Sequence, residues 1–340
     1  MKQIRFSAFG SPALAARCCD VDDPGPPSAW EVLVDIDACA VNPADLARLA
    51  GRYGELPKLP ATLGLEAVGR VAACGASVRD VAVGARVILV GNDNWCQRRR
   101  IAASLVHKVA PELDVLQLAS LKVSACTALE LVRRERPLER GAWLVQNAPL
   151  SSVGRAVMQV ARRDGLRTLN IVRRPEAVGQ VLAAGGDAAV EDGPEMARLA
   201  RAAMGGDAAP LALDAVGGDA ALRLAELLEP GATIVNYGML SGQPVRVAGD
   251  ALIFHGMTLK GFWLTQRLSR MTHAQRDALL GEAVELLSAG VLRAEVAAVY
   301  PLDAIAKALR HADEPGRQGR VYLLPNGPVQ ALAAASLPAP

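Results

Sequence analysis

The stretch that most constrains this chain runs from Gly141 to Arg174, GAWLVQNAPLSSVGRAVMQVARRDGLRTLNIVRR. It reads as strand, tight turn, helix, strand. Trp143-Leu144-Val145-Gln146 is a short apolar run of the kind a buried parallel strand presents. Asn147 to Gly154 is small and rich in helix breakers, which makes it a turn. Val153, Val157 and Val160-Ala161 then recur at helical spacing, and Gly165 closes the helix. Thr168-Leu169-Asn170-Ile171-Val172 is the second strand. Such a unit leaves unpaired N–H groups and partial positive charge at the helix N-terminus, where a pyrophosphate can sit.

The glycine signature in the turn is reduced. A full dinucleotide loop reads G-x-G-x-x-G; this one reads Pro149-Leu150-Ser151-Ser152-Val153-Gly154, and only the last glycine, which lets helix and strand pack closely, remains. On the loop alone, a cofactor turn and an ordinary strand-to-helix turn stand level. The end of the second strand shifts that balance. An NAD site carries an acidic residue there for the ribose 2′-hydroxyl, and this chain has Val172 followed by Arg173 and Arg174. Two guanidinium groups suit a 2′-phosphate. The expectation is NADPH; the plainer reading is two solvated arginines.

A chain of 340 residues suggests two domains, and 51% hydrophobic residues suffice for large cores. A net charge of +2 gives no nucleic-acid footprint. No apolar run approaches the roughly 20 residues a bilayer span needs, so no membrane partner is expected. MKQIRFSAFG lacks the apolar core of a signal peptide, and the six cysteines show no C-x-x-C pair. Reduced thiols in a cytoplasm are expected.

Residues 1 to about 118 read as mostly β, with strands near Glu31 to Ala38, Val68 to Ala73 and Ala85 to Val90, and one short helix from Ala44 to Ala50. Residues 119–262 alternate helix and strand. Asp187 to Val190, Leu211 to Val216, Ala232 to Tyr237 and Thr258 to Trp263 are the further strands of a doubly wound parallel sheet. The remainder reads as one long helix, about His273 to Ala289, and a strand near Arg320 to Leu324. The Ala/Pro-rich tail after about 325 is expected to be disordered. The order implies a first domain, 1–118 and 263–340, completed by the C-terminus, with the nucleotide domain, 119–262, inserted. Ligands are expected in the cleft between them.

Ala40-Val41-Asn42-Pro43-Ala44-Asp45, Gly64-Leu65-Glu66, Gly84-Ala85-Arg86-Val87 and the opening unit together resemble the medium-chain dehydrogenase/reductase superfamily, from about residue 4 to 324. The resemblance implies an α/β chain with a GroES-like β-rich catalytic domain and a Rossmann nucleotide domain. Within the superfamily, Gly51-Arg52-Tyr53-Gly54-Glu55-Leu56-Pro57, Val145-Gln146-Asn147-Ala148, Gly165 to Arg173 and Leu259 to Gln266 resemble the mitochondrial-type 2-enoyl thioester reductases. Zinc alcohol dehydrogenases in the superfamily carry a ligand cysteine where this chain has Asn42 and a His-Glu pair at Leu65-Glu66. Their structural zinc needs four clustered cysteines, and the region around Cys96 has one. The expectation is therefore no metal, and reduction of an activated C=C bond is the chemistry that remains.

That chemistry needs a hydride at C3, a proton at C2 and donors for the thioester oxygen. The resemblance implies that Tyr53 donates the proton or binds the oxygen, since a phenol is protonated at neutral pH. The competing reading is a loop ring packed near Pro57 and Pro60. Trp263 is implied to reach the acyl carbonyl through its indole N–H, or else to be a core aromatic. Leu150, Ser151, Ser152, Val153 and Gly154 are implied to hold the pyrophosphate, and Tyr237, Gly238, Met239 and Leu240 to line the nicotinamide, or else to be an ordinary strand-to-loop exit. Asn42, Ser124, Phe262 and Leu264 are implied to contact the cofactor, and Arg320 to stand near its phosphates, or else to be a surface arginine. Asp214 and Glu66 read as structural carboxylates.

Two departures concern NADPH affinity. Ser152 stands where the family has glycine, so its Cβ would crowd the pyrophosphate or demand an altered φ. Ser124 replaces an asparagine. Two alternatives stay open: a zinc-free NADPH quinone oxidoreductase, and a non-catalytic NADPH-binding or sensing protein, which the reduced phosphate loop favours. A small-molecule or acyl-carrier thioester is the expected substrate. The superfamily implies a homodimer through edge pairing of the nucleotide-domain sheets.

Overall fold

The computed structural model describes residues 1–328. Two compact units emerge. Among the described residues, the first comprises Met1–Val123, Leu280–Ser288 and 293–328; the second comprises Ser124–Leu279 and Ala289–Leu292. Trp263 to Leu279 thus pack with the second unit.

The second unit is built on six parallel strands. In spatial order they are Ala188–Glu191, Arg167–Val172, Trp143–Asn147, Ala209–Asp214, Leu228–Asn236 and Thr258–Gly261. Counted along the chain this is 3-2-1-4-5-6, the Rossmann order. Leu144, Val145, Leu169, Leu211, Ala212, Leu213, Ile234 and Val235 are fully buried, as strands covered on both faces must be. The chain leaves in opposite directions after Trp143–Asn147 and Ala209–Asp214, which are neighbours in the sheet. The carboxyl ends of these two strands, Asn147 and Asp214, therefore mark the switch point where such sheets bind ligands.

The first unit centres on the strand Glu31–Ala40. It pairs antiparallel with Ala67–Cys74, Arg98–Ala102 and Arg320–Leu323. Arg86–Leu89, Val106–Val109 and Val296–Tyr300 extend this sheet, and a second sheet joins Arg17–Asp20, Lys2–Phe6 and Ala61–Thr62. Val32, Val34 and Ile36 alternate at period two into one core with Ile4, Phe6, Leu49, Val87, Leu89 and Trp95. The architecture is α/β, with a GroES-like unit and a Rossmann unit.

Several local readings need correction. The last Rossmann strand ends at Gly261, and Trp263 is the N-cap residue of a helix, Leu264–Arg270. The C-terminal part holds Ile305–Asp313 besides the long helix His273–Ser288. Most of the tail expected to be disordered, residues 329–340, lies outside the described residues.

Candidate functional site

In the second unit the phosphate turn is built by capping and close approach. Ser151 is the N-cap residue of the helix Ser152–Arg163, and its hydroxyl accepts the Gly154 N–H at 3.1 Å. The Ser151 N–H in turn donates to the Ala148 carbonyl at 3.1 Å. A Cβ on Gly154 would lie 2.6 Å from that carbonyl and 2.7 Å from the Pro149 Cα, so only glycine fits. The altered φ expected of the serines is absent: Ser151 has φ −66°, and Asp93 and Ala148 are the non-glycine residues at positive φ among the described residues. The backbone strain sits on Ala148 instead, at φ 49°, a conformation costing about 1–3 kcal/mol that clusters at ligand sites.

Behind the turn, Asp214 is a fully buried clamp. Its carboxylate accepts Asn147 Nδ2 at 2.6 Å, Asn236 Nδ2 at 2.8 Å and the Val216 and Gly217 N–H groups at 3.0 Å. Asn147 Oδ1 accepts the Ala215 N–H at 2.7 Å. These bonds tie three strand ends together, so Asp214 is structural. Gln146 adds a buried polar rung, donating to the Gly154 carbonyl at 3.1 Å and to Asn170 Oδ1 at 2.8 Å. Sequence reading passed over it, although a glutamine and an asparagine in facing apolar strands were the signal.

Tyr237 leaves the strand Leu228–Asn236 with its hydroxyl buried near Ser151 and without a hydrogen-bond partner among the described residues. Burial, and secondarily the Asp214 charge, push that phenol well above its usual range. Gly238 passes so close to Ala215 that an added Cβ would lie 2.5 Å from its carbonyl. Met239 and Leu240 are 65% and 61% exposed. The structure thus joins Ser151, Gly154 and Tyr237 in one place. Leu150, Ser152 and Val153 are half-buried around it. Arg173 is exposed and makes no ion pair among the described residues, whereas Arg174 Nε pairs with Glu176 at 3.4 Å. Phe262 is buried, donates its N–H to the Asn236 carbonyl at 2.8 Å and carries the Arg267 guanidinium 5.5 Å from its ring centre. Trp263 and Leu264 are half-buried. Ser124 is buried in a π-helical turn, Leu121–Ala125, a feature frequent at functional sites.

In the first unit, Tyr53 is placed by the end of the helix Pro43–Leu49. The Arg52 N–H donates to the Ala47 carbonyl at 2.8 Å and the Gly51 N–H to Arg48 at 3.1 Å. Gly51 takes φ 70°. This is a Schellman motif, and it needs glycine at the left-handed position. It folds the chain back so that the half-buried Tyr53 ring lies 5.7 Å from the Arg48 guanidinium.

Below this turn lies a buried polar knot. Arg320 Nη2 is 2.6 Å from both Glu66 Oε1 and Asn42 Oδ1. Asn42 Nδ2 donates to Glu66 Oε1 at 3.1 Å, and Glu66 Oε2 accepts the Val123 N–H at 2.8 Å. Arg320 is only 3% exposed. Its guanidinium is thus engaged by Glu66, and Asn42 spends its amide on the same pair. Lys122 Nζ, missed in the sequence, donates to the Leu65 carbonyl at 2.6 Å. A zinc ion does not fit this set: it offers an amide, a carboxylate and a guanidinium, with no sulfur or imidazole ligand. Among the described residues no group of three His, Cys, Asp or Glu could hold a metal.

Asp45 in the same helix is fully buried, with Oδ2 accepting the Asn42 N–H at 3.0 Å and Oδ1 without a partner. Burial first, and the Glu66 charge second among the raising effects, push its carboxyl up to about 7. Between the unfolded value of about 3.9 and about 7, the folded chain holds a proton that the unfolded chain has lost. Stability therefore falls as pH rises through that window, by at most about 1.4 kcal/mol per pH unit. We expect a higher melting temperature at pH 5 than at pH 8, with Asp45→Asn reducing the difference. Superimposable pH profiles for the two proteins would refute this assignment.

Comparison with known proteins gives two family matches. Residues 28–109 match the alcohol dehydrogenase GroES-like domain, and residues 184–323 the zinc-binding dehydrogenase family. The mitochondrial enoyl-[acyl-carrier-protein] reductase of Xenopus tropicalis is 31% identical over 332 residues, covering 91% of each chain. Escherichia coli quinone oxidoreductase, solved with NADPH, superposes with a TM-score of 0.85 at 23% identity, over 96% of this chain and 100% of that one. The mitochondrial 2-enoyl thioester reductase Etr1p/Etr2p heterodimer of Candida tropicalis gives 0.83 at 21% identity, over 95% and 99%. These two likenesses show the fold. No helix among the described residues is long and apolar enough to cross a membrane.

Proposed function

Since the chain belongs to the medium-chain dehydrogenase/reductase superfamily and is an oxidoreductase, we propose that it reduces the C2=C3 bond of a 2-enoyl thioester with NADPH. The observation that carries the reading is Tyr53, held beside a buried cation by a glycine-dependent helix end in a segment matching the thioester reductases. NADPH, when bound, supplies the hydride for C3. The chain supplies the rest. Tyr53 gives its proton to C2 or holds the thioester oxygen, and the Trp263 indole N–H meets the acyl carbonyl. The N–H groups from Ser152 to Gly154 hold the pyrophosphate at the helix N-terminus. Tyr237 to Leu240, with Phe262, Leu264 and Ser124, line the nicotinamide side. The acyl group arrives on a small-molecule or carrier-protein handle.

Arg173 is the residue we assign to the 2′-phosphate, because Arg174 already has Glu176. Arg173→Ala is expected to weaken NADPH binding about 10-fold or more while leaving NADH nearly unchanged, the loss of one charge-assisted hydrogen bond being worth about 1.5–3 kcal/mol. Titration calorimetry with both cofactors checks this; equal weakening of both would contradict it.

A homodimer through the edge strand Thr258–Gly261 belongs to the same reading, supported by exposed Ile253 and Phe254 beside that edge. So does a reducing, cytoplasmic location, supported by six free cysteines. The zinc-free quinone oxidoreductase is the second reading, favoured by the equally close likeness to the Escherichia coli enzyme. Turnover of a 2-enoyl-CoA beside a quinone decides between them.

A further inference from the structure

Arg48, in the first unit, is largely buried and makes no ion pair among the described residues, the Asp45 charge acting on it only from beyond 4 Å. It is 8% exposed, and its buried Nε has no hydrogen-bond partner. Among the described residues, no carboxylate lies within 4 Å of its guanidinium. The neighbouring anions are otherwise engaged. Glu66 is held by Arg320, Asn42 and the Val123 N–H. Asp45, one turn back on the same helix, accepts the Asn42 N–H; the Arg48 charge lowers its carboxyl, but burial outweighs this and pushes it up to about 7. The face of Tyr53 lies 5.7 Å from the guanidinium.

A largely buried guanidinium without an ion pair is costly to keep. Removing its partner is what usually makes a buried charge destabilising, so an unpaired one points to a partner that comes and goes. The partner must be anionic, reach Tyr53, and have oxygens that a planar guanidinium can grip. The thioester carbonyl is neutral in the ground state and does not meet the first condition. A carboxylate on the acyl group meets all three.

Resting on the enoyl reductase reading, we propose that Arg48 is a specificity-determining residue that binds a carboxylate on the acyl chain. The preferred substrates are then 2-enoyl thioesters of dicarboxylic acids. The reaction itself is unaltered: hydride to C3, proton to C2, with the distal carboxylate a spectator that orients the chain beside Tyr53.

The test compares crotonyl-CoA with glutaconyl-CoA, which is crotonyl-CoA with a carboxylate on C4. Initial rates with NADPH give kcat and KM for each substrate, in the unmodified enzyme and in Arg48→Met and Arg48→Lys. We expect kcat/KM to favour glutaconyl-CoA by about 10–100-fold, mostly through KM, as one charge-assisted contact predicts. Arg48→Met should abolish the preference and Arg48→Lys should restore part of it. If Arg48 only braces Asp45 or Tyr53, both substrates lose in proportion and the ratio stays put, which overturns the inference. Reduction of crotonyl-CoA with no preference for glutaconyl-CoA overturns it as well, and leaves the enoyl reductase reading standing. Reduction of neither thioester overturns both.

Discussion

Tyr53→Phe is expected to lower turnover of an enoyl-CoA by about 10²–10⁴-fold, the usual span for loss of a general acid. Melting temperature and NADPH affinity should hardly move. The substitution removes one hydroxyl and keeps the ring, so the contact with Arg48 survives. The helix end survives too, because Gly51 and the Arg52 N–H make it, not the tyrosine side chain. A packing role for Tyr53 predicts instead that Phe is nearly silent in every assay. Turnover and thermal melting on the same preparations distinguish the two roles. Full turnover in the Phe variant would take Tyr53 out of the chemistry and favour the quinone reductase reading.

Arg320→Ala is expected to act on folding. It strands Glu66 as a buried carboxylate with only an amide and a backbone N–H for company. Unpairing a buried ion pair costs about 3–5 kcal/mol. At about 2–4 °C per kcal/mol for a domain of this size, the melting temperature should fall by roughly 6–20 °C. The double variant Glu66→Leu with Arg320→Met should regain much of that loss, because it removes both charges. If Arg320 held a cofactor phosphate instead, the single variant would melt normally and bind NADPH poorly.

The parallel sheet was the legible part of the chain. Its strands are continuous apolar runs closed by small or polar residues, and that pattern comes from burial on both faces. The strand Leu228–Asn236 begins earlier than read, because Glu229-Pro230-Gly231 has the composition of a turn but lies within the paired strand. The apolar run past Gly261 hid the change from strand to helix at Trp263. Arg98–Ala102 was illegible for the opposite reason. Its arginines mask the strand, and their partners Asp35 and Glu31 lie on the neighbouring strand.

At the candidate site, local chemistry could be read and long-range pairing could not. The role of Gly154 followed from the loop, and the close contact with Ala148 explains it. Asp214 and Glu66 were recognisable as structural carboxylates. The burial of Arg320 was not, because its partner is 254 positions away in the sequence. Arg48, between Leu46 and Leu49 in a short helix, carries no signal of its own in the sequence. Only the fold shows it largely buried and without an ion pair among the described residues.

The most direct test of the enoyl reductase account is NADPH consumption with crotonyl-CoA and with a quinone, side by side on one preparation. The account predicts rapid oxidation of NADPH with crotonyl-CoA, formation of butyryl-CoA in equal amount, and little reaction with the quinone. Quinone-dependent oxidation with crotonyl-CoA left unchanged would contradict it.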